Sequence, residues 1–356
     1  MCYSQDIRII SNGVIAMNIG QQWRKVFLYT FAMILLILNA NTVVRSAQTG
    51  LELCIYTVIP SLFPFIFLSI LLNNTLSHID FKILHPLGKL LGIPPGAENL
   101  LLLSFLGGYP TGAQAISDRW HSGTLERHSA LRMMGFCNNA GPAFIFGMLS
   151  GLFADKKIPW IIWLIHISGA CFVGCILPKS PAHEISSLKN SDITISAALE
   201  KGIKAITTVC GWVILFKVIL GCITPYLCSI MGQTATIGIC GILEISNGCL
   251  EAQNIPCEGL RFIYINTILS FGGLCVLGQT ASVTSRLGLG FYVPGKILQA
   301  IFCLIVSQIL QPILFLPEQR FIFNPYFLII LLLGALLMTW RLQAQKNSSI
   351  FCKIHV

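Results

Sequence analysis

The chain has 356 residues, 54% of them hydrophobic and only 10% charged, with a formal net charge of +9. Soluble domains carry about 25% charged residues, and the mean hydropathy of +0.76 agrees that this chain has too few to solvate a globule. A cytosolic enzyme, a DNA-binding module and a disordered protein are thereby disfavoured, and a polytopic membrane protein is expected.

The basic residues lie dispersed beside apolar segments, at Arg24, Lys25, Lys82, Lys89, Lys156, Lys157, Lys201 and Lys204. That is the pattern of the positive-inside rule. They form no basic stripe interleaved with aromatics, so no nucleic-acid partner is expected. The 14 cysteines include no C-x-x-C pair and sit mostly inside apolar runs. They read as small buried hydrophobes rather than as a disulfide or metal framework.

In chain order, residues 1–25 read as an N-terminal tail, with Met17 (MNIGQQWRKVF) as an alternative start. Residues 26–44 read as an uncleaved first transmembrane span, because the stretch runs long for a signal peptide and lacks a small-x-small cleavage site. An apolar stretch over 51–73 contains Pro60 and Pro64, which remove backbone hydrogen bonds and favour a kinked span lined by neighbours or water. A polar stretch with Lys82, Lys89 and Pro94-Pro95-Gly96 follows.

Two apolar pieces, 100–109 and 142–153, are each too short to cross a bilayer, which needs about 20 residues. The charged connector between them, Asp118 to Arg132, reads as a polar surface helix. Its His121 and His128 share a face but have no third ligand nearby, so no metal is expected. A full span is expected at 159–177 and a polar linker at 178–194.

The plan then recurs. An amphipathic start at 195–204 leads into an apolar stretch through Leu227. A short piece at 235–245 meets Glu244, Ser246, Asn247 and Gly248. After a polar connector, a piece at 262–277 ends at Gly272-Gly273 and Gln279. Spans at 292–316 and 325–340 close the chain. The domain plan is therefore a first repeat over 45–177, a second over 195–316, and a last span with a cytoplasmic tail over 317–356.

In the first half, Gly107-Gly108-Tyr109-Pro110-Thr111-Gly112 precedes Phe136-Cys137-Asn138-Asn139-Ala140-Gly141-Pro142. In the second, Glu244-Ile245-Ser246-Asn247-Gly248 precedes Phe271-Gly272-Gly273. The two sets are offset by about 135 residues, and short Gly/Pro-interrupted segments at matching places in two halves point to a transporter's binding site. The expected fold is all-α, with inverted repeats and broken or re-entrant helices.

A broken helix presents unpaired N–H groups and a positive dipole end, which suit an anion. The candidate substrate-binding residues are Gly108, Tyr109, Thr111, Gln114, Asn138, Asn139, Glu244, Ser246, Asn247, Gly272, Gly273 and Gln279. Glu244 is the one acid in its apolar piece, and intramembrane carboxylates are functional by default. It would bind a cation, carry a proton or hydrogen-bond the substrate; the competing reading is a helix end at the interface. Thr280 and Ser282 add neutral hydrogen-bonding groups. Arg286 and Lys296 either neutralise an acid or snorkel to the interface, which is the commoner case.

There is no G-x-S-x-G, H-E-x-x-H or G-x-x-x-x-G-K-[ST]. Neither an enzyme nor a bound cofactor is expected, and no P-loop supplies ATP binding.

The motifs Pro60-Ser61-Leu62-Phe63-Pro64-Phe65, Gly107–Ala113 and Asn138–Pro142 resemble those of the YlbJ-type sporulation integral membrane proteins, in the nucleoside-recognition or Gate-domain superfamily. The second-half motifs look like that superfamily's second repeat, and the resemblance covers about residues 50–315. It implies a multi-pass protein in the cell membrane or outer forespore membrane of an endospore former, with a fold like that of concentrative nucleoside transporters. It further implies carriage of a small organic anion, dipicolinate, with the lipid bilayer as its surroundings. The coupling ion and any homo-oligomer stay open. The alternatives are a nucleoside carrier and a non-transporting scaffold or signalling component for spore assembly.

Overall fold

The computed structural model describes residues 22–76, 82–179, 193–284 and 286–317, and among them every regular element is helical. The start of the tail (1–21), most of the linker (180–192) and the span at 325–340 with its tail lie outside the described residues.

Helix α1 spans 22–38 and α2 spans Ala40–Leu76. A helix boundary thus falls inside the stretch 26–44. The boundary falls at Asn39, whose side-chain amide donates to the Leu35 carbonyl at 2.9 Å. The Leu35 carbonyl also accepts the Asn39 backbone N–H at 3.2 Å, so the side chain competes locally with the helical ladder. Within α2, residues Cys54–Val58 form a π turn just before Pro60. Proline lacks an N–H and its ring crowds the carbonyl four residues back, and a widened turn absorbs that conflict. Ser61 Oγ donates to the Thr57 carbonyl at 2.6 Å within the same turn.

The first half continues with α3 (His85–Leu91), α4 (Glu98–Gly107), α5 (Thr111–His121), α6 (Arg127–Met133), α7 (Pro142–Leu152) and α8 (Ile158–Ile176). The second half contains α9 (Ile195–Met231), α10 (Gln233–Leu243), α11 (Ile245–Glu251), α12 (Glu258–Phe271), α13 (Gly273–Thr284) and α14 (Tyr292–Leu314). Among the described residues, five stretches are long and apolar enough to cross a membrane: α2, α8, α9, the end-to-end pair α12–α13, and α14. Helices α4, α7 and α10 are apolar but shorter. The longest two, α2 and α9, have 37 residues each and pack along one another. Helix α14 packs against both α12 and α8.

The outward faces are apolar. Ile230 is 79% exposed and Ile313 76%, and α1 is exposed throughout. In water such a continuous surface would drive association; around a membrane protein it is the lipid-facing wall. The chain is an integral, multi-pass membrane protein.

The connector at 118–132 departs from the surface helix expected of it. It is two helices joined by a turn, and Arg119 and Arg132 are buried. Arg132 Nε donates to Pro178 O at 2.8 Å, Nη1 to Gly92 O at 3.1 Å and Nη2 to Gly174 O at 2.6 Å. Arg119 Nη1 donates to Gly96 O at 2.8 Å. The carbonyls that end α3 and α8 have no partners inside their own helices. A forked guanidinium satisfies several at once, which is why charge goes inward here.

Candidate functional site

The site is built from four places where helices stop short. The first is Gly108-Tyr109-Pro110, between α4 and α5, with Gly108 at φ +73°. The second is the non-helical stretch before α7, where Gly141 is extended and Pro142 opens the helix. Proline suits a first helical position because its missing N–H would have no helical partner there. The third is Glu244, extended between α10 and α11. The fourth is Gly272-Gly273, both at positive φ, between α12 and α13.

These breaks meet in pairs. A Cβ added to Gly108 would lie 2.8 Å from the Gly141 nitrogen, so the first and second breaks touch backbone to backbone. A Cβ on Gly273 would lie 3.2 Å from Gly241 O and 3.3 Å from Ile245 N, so the third and fourth also touch. The pairs then join across the halves. Tyr109 Oη donates to Leu269 O at 3.4 Å, and Asn138 Nδ2 donates to Thr280 Oγ1 at 2.9 Å.

At the meeting point lies a cavity of about 30 Å³. Gly108, Tyr109, Gly141, Glu244, Ser246 and Gln279 line it, and Val58, Leu62, Val209 and Val213 of α2 and α9 complete its wall. It has room for a water or two. Small-molecule sites typically hold about 300–1,000 Å³, so this cavity is far smaller than a solute-filled one.

The expected substrate-binding residues divide into three groups. Gly108, Tyr109, Glu244, Ser246 and Gln279 reach the cavity. Asn138, Asn139, Thr111, Asn247, Gly272 and Gly273 are packed around it and hold the breaks. Thr111 Oγ1 bonds the last carbonyl of α4, Gly107 O, at 3.4 Å. Gln114 stands apart: its Nε2 donates to Asp118 Oδ1 at 2.6 Å on the exposed side of α5.

Glu244 is buried, and its carboxylate caps its own following helix. Oε1 accepts from Ser246 N at 3.0 Å, while Oε2 accepts from Asn247 N and Asn247 Nδ2, both at 2.6 Å. The negative charge thus meets the N-terminal donors of α11. A carboxylate offers about four lone-pair positions, so capping leaves it little acceptor capacity for a solute.

Behind the second break lies a fully buried polar cluster. Asn139 Nδ2 donates to Ser104 Oγ at 2.9 Å and to Phe136 O at 2.7 Å. Asn139 Oδ1 accepts from Lys296 Nζ at 3.0 Å and Gln299 Nε2 at 3.1 Å. Lys296 Nζ also donates to Gln299 Oε1 at 2.8 Å, and Gln299 Nε2 donates to His166 O at 3.0 Å. The His166 ring accepts Ala140 N–H at Nε2, 3.0 Å away, and Nδ1 lies 3.4 Å from Ser270 Oγ.

Lys296 therefore does not snorkel. It is 1% exposed, held by side-chain oxygens that a simple interfacial residue would not need. His166, Ser104, Ser270 and Gln299 also belong to the cluster although their sequence context did not single them out. Two signals were present. His166 is the only titratable residue of the span Ile158–Ile176 apart from its cysteines, and intramembrane ionisable groups are expensive. On α14, Lys296, Gln299, Ser307 and Gln311 recur at helical spacing and are all buried, a polar seam where an apolar face was expected.

No protein-family model matches this chain, and no solved structure matches it. It is similar to the sporulation integral membrane protein YlbJ of Bacillus subtilis (strain 168), with 22% identity over 319 residues. The matched region covers 75% of this chain and 77% of that protein, and the two are distant homologues.

Proposed function

We propose that this protein is a carrier or facilitator for a small organic anion, dipicolinate, across a membrane surrounding the forespore of a spore-forming bacterium. The observation that carries this reading is that three helix interruptions, from both halves of the chain, line one cavity, and the helix that follows the fourth adds Val276 and Gln279 to its wall. Two-half architecture with broken helices meeting at a central point is how secondary transporters build a solute site without leaving backbone groups exposed to lipid. Gly141, which lines the cavity, immediately precedes α7, and Tyr109, which also lines it, lies two residues before α5; the positive ends of such helices favour an anionic group. The homology to a sporulation membrane protein supports the setting. Residues 45–177 and 195–316 would act as inverted repeats moving against one another, with the cavity enlarging as substrate enters.

A second reading, a carrier of nucleosides, is favoured by one observation. Glu244 faces the cavity beside the neutral Ser246 and Gln279, and an acid with uncharged neighbours suits a neutral solute better than an anion. Uptake into proteoliposomes separates the two. The anion carrier predicts saturable uptake of pyridine-2,6-dicarboxylate that excess uridine leaves unchanged. Uptake of uridine with no flux of the dicarboxylate would replace the first reading by the second. Flux no greater than in protein-free liposomes for both solutes would reject both.

A further inference from the structure

We infer that Lys296 is the fixed positive charge that pairs with a carboxylate of the transported solute. The inference rests on the anion-carrier reading and names the residue that would make the site selective.

Lys296 sits on α14, a helix long and apolar enough to cross the membrane, and is 1% exposed. A buried ammonium is costly unless an opposite charge accompanies it. Among the described residues Lys296 belongs to no ion pair. Its two oxygen partners, Asn139 Oδ1 and Gln299 Oε1, are neutral amides. An ammonium has three N–H donors, so these two bonds leave one unassigned. Nζ instead lies 5.3 Å from the Tyr109 ring centroid and 6.0 Å from that of Tyr292. Aromatic faces attract a cation but carry no net charge.

His166 does not share the charge. Its Nε2 accepts a backbone N–H, which a protonated ring nitrogen cannot do. Lys296 is therefore the group of the cluster able to carry a positive charge, and among the described residues no carboxylate pairs with it. Tyr109 is shared between the two: it lines the cavity and also carries the ammonium over its ring. Tyr109 is tethered at its hydroxyl only by the 3.4 Å bond to Leu269 O, which is long for an O–H donor. Moving this ring aside would open the cavity and expose the ammonium in one step. The other formal charge at the cavity, Glu244, is engaged by the donors of α11. A small carboxylate would thus find one uncommitted charge within reach, of the right sign.

A purely structural role for Lys296, tying α14 to the second break, predicts a different kinetic signature. The test is uptake of pyridine-2,6-dicarboxylate into proteoliposomes by the wild type, Lys296→Gln and Lys296→Arg. The charge-pairing role predicts that Lys296→Gln raises KM by roughly tenfold to a hundredfold, the value of a charged hydrogen bond. Lys296→Arg should keep KM closer to wild type. An unchanged KM in Lys296→Gln, with or without a lower maximal rate, would overturn the inference and leave the carrier reading standing. A wild type that moves no dicarboxylate would instead remove the carrier reading itself. If Lys296→Gln is not recovered folded, Lys296→Met removes the charge while Asn139 Oδ1 keeps its bond from Gln299 Nε2, and the same rise in KM is required of it.

Discussion

Asn139→Leu is expected to abolish dicarboxylate uptake and to lower stability by about 1–3 kcal/mol, the cost of leaving buried polar partners unsatisfied. Asn139 is buried and makes four side-chain hydrogen bonds, two as donor and two as acceptor. Leucine fills a similar volume, so the cavity contribution is small. The loss comes from Lys296, which would retain only Gln299 Oε1 as an oxygen acceptor. Thermal unfolding in detergent measures it. Adding Lys296→Met should recover a large part of the stability, because removing both members of a polar pair costs less than removing one. It should not recover uptake. A double variant no more stable than Asn139→Leu alone would show that Lys296 is not the group left stranded.

Gly108→Val should also be damaging, for a backbone reason. Gly108 has φ +73°, a region that β-branched residues avoid. Its added Cβ would also lie 2.8 Å from Gly141 N and 3.1 Å from Gly141 Cα. Neither atom can rotate away, so the first and second breaks would be forced apart. The expected result is loss of transport with destabilisation of several kcal/mol, about 1–3 from strained φ alone and more from the clash. Gly96→Val is the control. It shares the positive φ, at +83°, but a Cβ there meets nothing within 4 Å. Thermal unfolding of the two variants separates conformational strain from close approach. Equal destabilisation would mean that the contact between the breaks contributes nothing.

Much of this architecture was legible from the positions of Gly, Pro and Asn in apolar sequence. A membrane leaves few ways to satisfy a broken backbone, so Gly107-Gly108-Tyr109-Pro110 and Asn138-Asn139-Ala140-Gly141-Pro142 announced helix ends that had to meet something. Period and composition could not say what. The pairing of Gly108 with Gly141, and of Gly273 with Ile245, is a tertiary fact that one-dimensional spacing does not contain. Charges were harder still. Lys296 is followed by apolar residues and reads like an interfacial lysine; only the arrival of Asn139 from another part of the chain makes its burial possible. Arg132 was misplaced for the same reason, because its acceptors are helix-end carbonyls from α3 and α8. Gln114 shows the converse. It lies less than one turn from Thr111, on nearly the same face of α5, yet its amide bonds forward to Asp118 and does not reach the cavity.

That contrast gives the most direct test of the central claim, that solute passes through the cavity lined by the helix breaks. Gln279 lines the cavity and Gln114 does not. Initial rates of pyridine-2,6-dicarboxylate uptake into proteoliposomes, measured for Gln279→Ala, Gln114→Ala and the wild type, compare two like substitutions inside and outside it. The account predicts about a tenfold rise in KM for Gln279→Ala, the value of one lost hydrogen bond, and wild-type kinetics for Gln114→Ala. Equal KM values in the two variants, or a larger effect at Gln114, would contradict it.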